Sequence, residues 1–172
     1  MIQGPMTFAD MIAGCHRSAL HLEMRDIYTP DDPQYLRWKA DGSIDPSEER
    51  WQQWMGIVSS TVQRGVAVRR ARIVSEPVTD FIRHEYDLTG PMNVAAGEEV
   101  RWLPRRQASD LALPGNDFWL FDDHLVRFGF FSGAGDYLGE ELTDDQAVIK
   151  LCAAAFDAVW ERAVDHAEYR IS

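Results

Sequence analysis

The sequence has few cysteines and no long apolar run. Cys15 and Cys152 both lie in helical patterns and show neither the density of a disulfide framework nor the spacing of metal ligands. No apolar run approaches the roughly 20 residues that a membrane-spanning helix needs. Met1–Asp10 lacks the basic and apolar regions of a signal peptide. Together these absences predict a cytoplasmic protein in a reducing compartment.

The chain also has little positive charge. It contains 17 Lys and Arg residues against 28 Asp and Glu residues, which gives a net charge of −11. Nucleic-acid binding needs clustered cations that neutralise phosphates, and an anionic membrane surface repels an acidic protein. We therefore expect neither direct nucleic-acid binding nor membrane binding.

The positive charge that is present is concentrated in residues 64–106. This segment holds eight arginines and six acidic residues and carries +2, whereas residues 1–63 carry −4 and residues 107–172 carry −9. Opposite charges attract over several ångströms, so an anionic small molecule or an acidic protein surface would be drawn to this segment. The asymmetry indicates where a partner docks, without identifying it.

Hydrophobic periodicity predicts a single α/β domain over residues 1–172. Six runs have the composition and alternation of strands: Leu20–Ile27, Val66–Val74, Glu99–Leu103, Asp117–Asp122, Leu125–Phe131 and Asp136–Leu142. A helical pattern separates the second and third runs, which predicts a right-handed βαβ unit with parallel strands. The last three runs follow one another through turns and are expected to be antiparallel. The prediction is a mixed sheet of five or six strands with packed helices.

Helical patterns occupy most of the remaining sequence. They cover Thr7–Ala19, Asp31–Ala40, a segment capped by Asp45, a segment starting at Ser75-Glu76-Pro77, and a segment that follows the capping box Thr143–Gln146. The small residues of Gly90–Gly97 predict a loop.

Arg70 and Arg72 share one face of the run Val66–Val74 with Val66, Val68 and Val74. Two guanidinium groups on an otherwise apolar face must be paired or lie at the rim of the sheet. They could clamp a carboxylate or a phosphate in bidentate fashion. They could equally form an internal ion-pair network with nearby acids such as Glu76, Glu98, Glu99 or Asp122. Both alternatives remain open at this point.

The expected ligand site lies where the predicted parallel strands end. In open α/β sheets, ligands bind at the carboxyl ends of the strands, which here are Ser75–Glu76 and Leu103–Arg106. The candidate ligand-binding residues are Arg70, Arg72, Glu76, Arg101 and Arg105.

The chain lacks a recognisable catalytic motif. No Walker A, G-x-G-x-x-G or H-E-x-x-H pattern occurs, so we expect no cofactor. Asp122-Asp123-His124 is typical of a turn, and we expect no metal there. If the protein is an enzyme, Glu23, Glu76 and Asp122 are the acid–base candidates, because a carboxyl group whose pKa is shifted by burial can transfer protons.

Four runs resemble an actinobacterial family of uncharacterised proteins that are often encoded beside helix-turn-helix regulators of the XRE type. The runs are Leu22–Tyr28, Arg72–Phe81, Asn93–Arg101 and Asp117–Asp123. The resemblance covers nearly the whole chain and implies an actinobacterial cytoplasmic protein. It implies no established reaction.

A weaker resemblance, at the level of the fold, is to phospholipase-D-like domains. It depends on the βαβ unit, the Phe118–Asp123 strand, the hairpin and a last helix that carries a tryptophan. The catalytic H-x-K-x-x-x-x-D run of that family is missing, because the only lysines are Lys39 and Lys150 and neither follows a histidine by two residues. A shared fold would therefore lack that catalysis.

Three functions are compatible with the sequence. The first is a non-catalytic regulatory or effector-binding protein that acts with a helix-turn-helix DNA-binding partner. The second is a small enzyme that acts on an anionic small molecule with a carboxylate as acid or base. The third is a scaffold or homodimer that exposes Trp38, Trp51 or Trp102 at an interface.

Overall fold

The structure is a computed structural model that describes residues 6–172. Five α-helices occur in this range: α1 Phe8–Ala13, α2 Pro33–Asp41, α3 Glu49–Gln63, α4 Asp80–Leu88 and α5 Gln146–Arg162. A π-helical turn, Thr89–Val94, extends α4, and a 3₁₀ turn covers Arg105–Ala108. The expected absence of a signal peptide concerns Met1–Asp10, and residues 1–5 of that segment lie outside the described range.

Residues 6–172 contribute seven strands to one mixed sheet: β1 Ser18–Glu23, β2 Ala67–Val74, β3 Glu99–Pro104, β4 Phe118–Phe121, β5 Leu125–Phe131, β6 Tyr137–Thr143 and β7 Val164–Asp165. Their order across the sheet is β6-β5-β4-β1-β2-β3-β7. The central strands β1, β2 and β3 are parallel, and the other neighbouring pairs are antiparallel.

The predicted α/β class and mixed sheet are confirmed, but the predicted number of strands is too low. The βαβ unit is β2-α4-β3 with parallel strands, and β4, β5 and β6 form the antiparallel end. The additional strand is β7, whose two residues pair with Arg101 and Trp102 of β3. Two residues are too few to produce a period-2 pattern, so this strand has no sequence signal.

Several helices differ in extent from their predicted ranges. Helix α3 begins at Glu49 with Glu48, rather than Asp45, at the cap position, and Asp145 rather than Thr143 caps α5. Helix α1 ends at Ala13, because Gly14 caps it and the chain then turns into β1. Cys15 and Ala19 still lie in the core, although they reach it from outside the helix. Helix α4 begins at Asp80 with Thr79 as its cap, since the chain bends through Ser75–Val78 before it becomes helical.

The sheet has two faces of different character. Helix α5 covers one face, which we call the α5 face, and buries an apolar cluster that includes Leu22, Ile73, Leu103 and Phe156. Helices α1 to α4 cover the opposite face, which we call the cleft face. It contains two apolar clusters, one around Trp119 and Phe121 and the other around Phe81 and Trp102.

No helix in residues 6–172 is both long enough and apolar enough to span a membrane. The longest of them, α5, ends at Arg162 after 17 residues.

Candidate functional site

Charged side chains occupy the middle of the cleft face because of the register of two parallel strands. In β1 and β2, His21 lies beside Arg70 and Glu23 lies beside Arg72. Alternate residues of a strand point to the same face, so these four side chains project together between the two apolar clusters. Arg70 and Arg72 are 8% and 4% exposed and Glu23 is 6% exposed, which requires that each charge has a partner.

The partners are supplied by neighbouring carboxylates. Arg70 Nε donates to Glu98 Oε1 at 2.7 Å, and Arg70 Nη1 also bonds Glu23 Oε1. Arg72 Nε donates to Glu23 Oε2 at 2.7 Å, and its Nη1 donates to Thr89 Oγ1 at 2.6 Å. Glu23 therefore bridges both arginines. We call Glu23, Arg70, Arg72, Glu85 and Glu98 the ion network.

The guanidinium groups determine the charge state of Glu23. Burial opposes ionisation of this carboxyl group, but Arg70 and Arg72 outweigh that cost and hold the pKa of Glu23 well below its ordinary value. Glu23 is thus a fixed negative charge in the folded protein. It could not act as a general acid near neutral pH, because such an acid must carry a proton.

Glu85 of α4 differs from the other acids of the ion network. Its Oε2 lies 3.7 Å from Arg72 Nε, within ion-pair range but too far for a hydrogen bond, and this nitrogen already donates to Glu23. Burial raises the pKa of Glu85 to about 8, since the attraction of Arg72 offsets only part of the lost hydration and Glu23 repels a second charge. Although the 3.7 Å separation suggests an ion pair, Glu85 is therefore protonated at neutral pH.

An aromatic cleft of about 350 Å³ opens over the ion network. Its aromatic side chains are Phe8, Trp51, Trp54 and Trp119. Its polar side chains are His21, Arg70, Arg72, Glu85, Asn93 and Arg127, and Leu88 and Met92 complete the lining. The rings support one another, since Phe8 and Trp54 are stacked with centroids 5.4 Å apart and Phe8 meets Trp119 edge-on at 5.0 Å. We use the name aromatic cleft for this cavity.

A second recess of about 210 Å³ shares Trp51, Glu85 and Leu88 with the aromatic cleft. It extends between α2 and α4 to Asp32 and His84. Glu85 therefore lies in the wall between two adjoining cavities.

Buried polar atoms without hydrogen-bond partners are concentrated around these two cavities. Within residues 6–172, eight buried side-chain nitrogen or oxygen atoms lack a partner, and five of them belong to residues that line the cavities. These five are His21 Nδ1, Trp51 Nε1, His84 Nδ1, His84 Nε2 and Glu85 Oε2. An unsatisfied buried polar atom costs about 1–3 kcal/mol, so such a concentration is typical of a place where water or a ligand binds.

His21 is neutral in this environment. Its ring stacks on Trp119 with centroids 4.3 Å apart, and burial together with the charge of Arg70 lowers its pKa well below the ordinary value. Its Nδ1 lies 3.6 Å from Glu23 Oε1, which is too far for a hydrogen bond. His21 thus presents a planar, uncharged ring to the aromatic cleft.

Asp117 and Tyr28 form a separate polar pair beside Glu23. The Tyr28 hydroxyl donates to Asp117 Oδ2, and the backbone N–H of Met24 donates to Asp117 Oδ1 at 2.8 Å. Burial raises the pKa of Asp117 to about 6 despite these donors. Both residues line a recess of about 150 Å³ that shares His21, Trp119 and Arg127 with the aromatic cleft.

The structure separates the ligand-binding residues that the sequence grouped together. Arg70 and Arg72 lie in the ion network, whereas Arg101 points to the α5 face, where its Nη1 donates to the carbonyl oxygen of Trp160 at 2.9 Å. Arg105 and Glu76 line a third recess of about 230 Å³ at the carboxyl ends of β2 and β3. Arg70 and Arg72 thus form an internal network, which was one of the two alternatives. Of its expected acidic partners only Glu98 takes part, and the other carboxylates are Glu23 and Glu85.

Arg105 and Glu76 also form hydrogen bonds mainly with other groups of the protein. Arg105 Nε donates to Ser75 Oγ at 2.9 Å and its Nη2 donates to the carbonyl oxygen of Met24 at 2.6 Å. Glu76 is exposed, and its Oε1 accepts from the Tyr169 hydroxyl at 2.6 Å. The exposed Arg106 lies at the same recess.

Asp122 has a structural role at the end of β4. Its carboxylate accepts from the backbone N–H groups of His16, Arg17 and Ser18 at 2.7–2.8 Å. Partial burial opposes ionisation, but these three donors hold the pKa of Asp122 below its ordinary value. Among residues 6–172, no three His, Cys, Asp or Glu side chains are grouped as a metal site.

Most residues of the aromatic cleft have no distinctive sequence signal. Trp51 and Trp54 lie on the apolar stripe of α3 and Phe8 lies on that of α1, as core residues do. Nothing local distinguishes Glu85 from a solvent-exposed helix residue. The available signal was the pair Trp51 and Trp54, because large aromatic residues three positions apart on a short amphipathic helix can line a cavity as readily as a core.

Comparisons with known proteins identify the family and support the fold. Residues 6–171 match the family model described as "Domain of unknown function (DUF6879)". No curated protein matches the chain. The crystal structure of a phospholipase D family member, Nuc from Salmonella typhimurium, is similar with a TM-score of 0.50 and 13% identity, over 94% of this chain and 88% of that chain. This similarity confirms the predicted fold-level resemblance and concerns the fold alone.

A second solved structure, TrmBL2, described as an archaeal chromatin protein with a novel mode of DNA binding, has a TM-score of 0.49 and 14% identity. The similarity covers 91% of this chain and 48% of that chain.

Proposed function

We propose that this chain, which belongs to the DUF6879 family, is a non-catalytic regulatory protein that binds a small-molecule effector in the aromatic cleft. The cleft itself carries the proposal, since it combines an aromatic wall with buried polar atoms that lack partners. Small-molecule sites are generally concave and mostly apolar, with a few converging polar groups that fix orientation. Groups with shifted pKa values, here Glu85 and His21, are also concentrated at such sites.

The ion network has a supporting role in this proposal. Arg70 and Arg72 form the polar floor of the cleft, and their positions are fixed by Glu23, Glu98 and Thr89. A rigid floor lowers the entropic cost of ligand binding because fewer side chains must be ordered when the ligand arrives.

The anion-binding surface expected from the sequence is proposed at a different place. Arg70 and Arg72 already have carboxylate partners, so an anion there would have to displace Glu23 or Glu98. The recess lined by Ser75, Arg105, Arg106 and Ser109 is the alternative position for an anionic small molecule. It lies at the carboxyl ends of parallel strands, where open α/β sheets commonly bind ligands.

We further propose an actinobacterial, cytoplasmic protein whose partner is a helix-turn-helix regulator of the XRE type. The support is the sequence resemblance together with the net charge of −11, since an acidic protein can mask a basic DNA-binding surface. Direct nucleic-acid binding is not proposed for the same electrostatic reason. A homodimer remains a third proposal, but Trp102 is fully buried and cannot lie at its interface. The edge strand β6 instead exposes Tyr137, Leu138 and Leu142.

Native mass spectrometry of the protein isolated gently from its own host tests the proposal. We expect the wild-type chain to retain a small molecule and the Trp51→Ala variant to lose it. Trp51 lines both cavities around Glu85, whereas Trp54 also packs in the core, so Trp51→Ala removes cleft wall with little loss of core packing. A co-isolated helix-turn-helix protein would support the regulatory role.

Trp160→Ala is the matched control, because Trp160 is a half-buried tryptophan on α5 that packs against the cluster of the α5 face. This variant should retain the small molecule at wild-type occupancy. If wild type and Trp51→Ala carry the same molecule at equal occupancy, or if neither carries any, the effector proposal is wrong.

An enzyme acting on a small molecule is the second candidate, and one observation favours it. Two carboxyl groups with raised pKa values, about 8 for Glu85 and about 6 for Asp117, lie near the permanently ionised Glu23. Groups of this kind can serve as acid and base near neutral pH. Turnover of the retained molecule by wild type, with at least about a hundredfold loss in Glu85→Gln, would establish catalysis in place of effector binding.

A further inference from the structure

We propose that the ligand of the aromatic cleft is an organic cation with a flat, aromatic body and nitrogen donors, such as an amidine or a protonated heterocycle. This inference depends on the proposed function, since it names the chemical class of the effector. It departs from the anionic partner that the arginine-rich sequence predicts. The reason is a shortage of positive charge around Glu85.

The charges beneath the cleft do not balance when every acid is ionised. Glu23, Glu85 and Glu98 provide three carboxylates, whereas Arg70 and Arg72 provide two guanidinium groups. Arg127 also lines the cleft, but its charge is matched by Glu140, with which it forms an ion pair. The third carboxylate, Glu85, lies 3.7 Å from Arg72 Nε and its Oε2 lacks a hydrogen-bond partner within residues 6–172, which favours the protonated form. A bound cation would replace that proton.

The geometry around Glu85 suits a cation that donates hydrogen bonds. Its Oε2 is buried, lacks a partner among residues 6–172 and lies in the wall shared by two cavities. A carboxylate that receives a charged N–H donor makes one of the stronger hydrogen bonds found in proteins. An anionic ligand at this position would instead meet the unpaired Oε2 of Glu85, which is the one carboxylate among the described residues that line the cleft.

The aromatic walls already bind cationic side chains. The Arg70 guanidinium carbon lies 5.7 Å from the ring centroids of both Trp54 and Trp119. These distances fall within the range of cation–π attraction, which is strongest for tryptophan. The Arg50 guanidinium carbon likewise lies 4.7 Å from the centroid of a Trp51 ring. A further planar cation could lie against this indole, which lines both cavities together with Glu85.

Three probes that share one ring and differ in charge test the inference. Benzamidinium, benzamide and benzoate are titrated separately into the wild-type protein by isothermal calorimetry. We expect benzamidinium to bind at least about tenfold more tightly than benzamide, since one charge-assisted hydrogen bond accounts for such a ratio. Benzoate should show no binding in the aromatic cleft. The Trp51→Ala variant should bind benzamidinium more weakly than wild type does.

Glu85→Gln separates charge from shape. This variant keeps the size of the side chain but cannot become anionic, so benzamidinium should bind it no more than about twofold more tightly than benzamide. In wild type at pH 7, benzamidinium binding should release close to one proton, measured in buffers of different ionisation enthalpy. Glu76→Gln is the matched control and should behave as wild type, because Glu76 lies outside the cleft.

Three results would overturn the cation assignment. They are benzoate or benzamide binding as tightly as benzamidinium, benzamidinium binding that Glu85→Gln leaves unchanged, and no binding by any of the three probes. None of these results removes the effector proposal, which depends on a small molecule that is retained by wild type and lost from Trp51→Ala. Failure of that retention would instead remove both.

Discussion

Helices cover both faces of the sheet, but one face buries apolar side chains and the other buries charged side chains. The α5 face packs one helix on apolar side chains such as Leu22, Ile73, Leu103 and Phe156, all of which are at most 1% exposed. The cleft face buries charged side chains almost as completely, namely those of Glu23, Arg70, Arg72 and Glu98. Alternation along the same strands produces both faces, so β1 contributes Leu22 to one and Glu23 to the other.

The difference concerns how much each face contributes to stability, and it agrees with the proposed function of the cleft face. Burying apolar surface contributes about 25 cal/mol per Å², and the α5 face gains it without loss of hydration by charged groups. A buried ion pair is often no more stabilising than apolar side chains of the same volume. The ion network therefore contributes no more to the free energy of unfolding than apolar packing of the same volume would. We infer that it is present because it supports the aromatic cleft.

The largest expected effect comes from breaking the ion network. Arg72→Ala leaves Glu23 with one cationic partner and removes the charge beside Glu85, so the free energy of unfolding should fall by about 3–5 kcal/mol. Urea denaturation followed by circular dichroism measures this loss.

Arg101→Ala is the matched control for that loss. Arg101 is half-buried on the α5 face and bonds the carbonyl oxygen of Trp160, so its removal should cost only about 1 kcal/mol. Equal losses in the two variants would show that the faces do not differ in the way described.

A substitution in the α5 face should lower the free energy of unfolding by a smaller or comparable amount. It should leave ligand binding unchanged. Leu103 is fully buried in the cluster beneath α5, and Leu103→Ala should lower the free energy of unfolding by about 2–5 kcal/mol through lost burial and an unfilled cavity. Because Leu103 points away from the aromatic cleft, native mass spectrometry should find wild-type occupancy of the small molecule. Loss of the ligand in this variant would argue that the two faces are coupled.

The smallest effect is a dependence of stability on pH that arises from Glu85. Its pKa in the folded protein is raised to about 8 from an ordinary value of 4.5, so the folded state holds a proton that the unfolded state has lost. The stability that Glu85 contributes is then fully present below pH 4.5 and is lost as the pH rises from 4.5 through 8. Between pH 7 and 8 this contribution to the free energy of unfolding should fall by at most about 1.4 kcal/mol per pH unit.

The comparison of wild type with Glu85→Gln over pH 7–8 isolates Glu85 from the other shifted groups near the cleft. Asp117, with a pKa of about 6, is mostly ionised in this range. Burial lowers the pKa values of His21, His84 and His166, so the loss of their protons from the unfolded chain near pH 7 raises stability with pH equally in both proteins. In urea denaturation, the free energy of unfolding should therefore fall less, or rise more, with pH in Glu85→Gln than in wild type. Identical slopes would mean that Glu85 is ionised in the folded protein.

Strand patterns and local caps allowed much of the fold to be predicted. Val66–Val74 and Asp117–Asp122 are rich in β-branched or aromatic residues, which predicts strands. The helix between β2 and β3 made the parallel pairing of these two strands predictable. The Gly90–Gly97 loop was predicted less well. Thr89–Val94 instead continues α4 as a π-helical turn, in which Asn93 is buried and donates to Glu98 Oε2 at 2.7 Å.

The candidate site was less predictable because it depends on contacts between distant elements. The alternation in Leu20–Ile27 suggested a strand with one polar face in solvent, yet Glu23 is buried because α1 to α4 cover that face. Arg70 and Arg72 were identified as needing partners, but their carboxylates come from β1 and from the segment that precedes β3. The raised pKa of Glu85 depends on burial that only the packed structure provides.

A crystal structure of the protein with benzamidinium tests the central claim most directly. If the aromatic cleft binds an organic cation, the amidinium nitrogens should lie about 2.7–3.2 Å from the carboxylate of Glu85, with the ring against Trp51. Benzamidinium bound elsewhere, or bound in the cleft with its nitrogens directed away from Glu85, would contradict the claim.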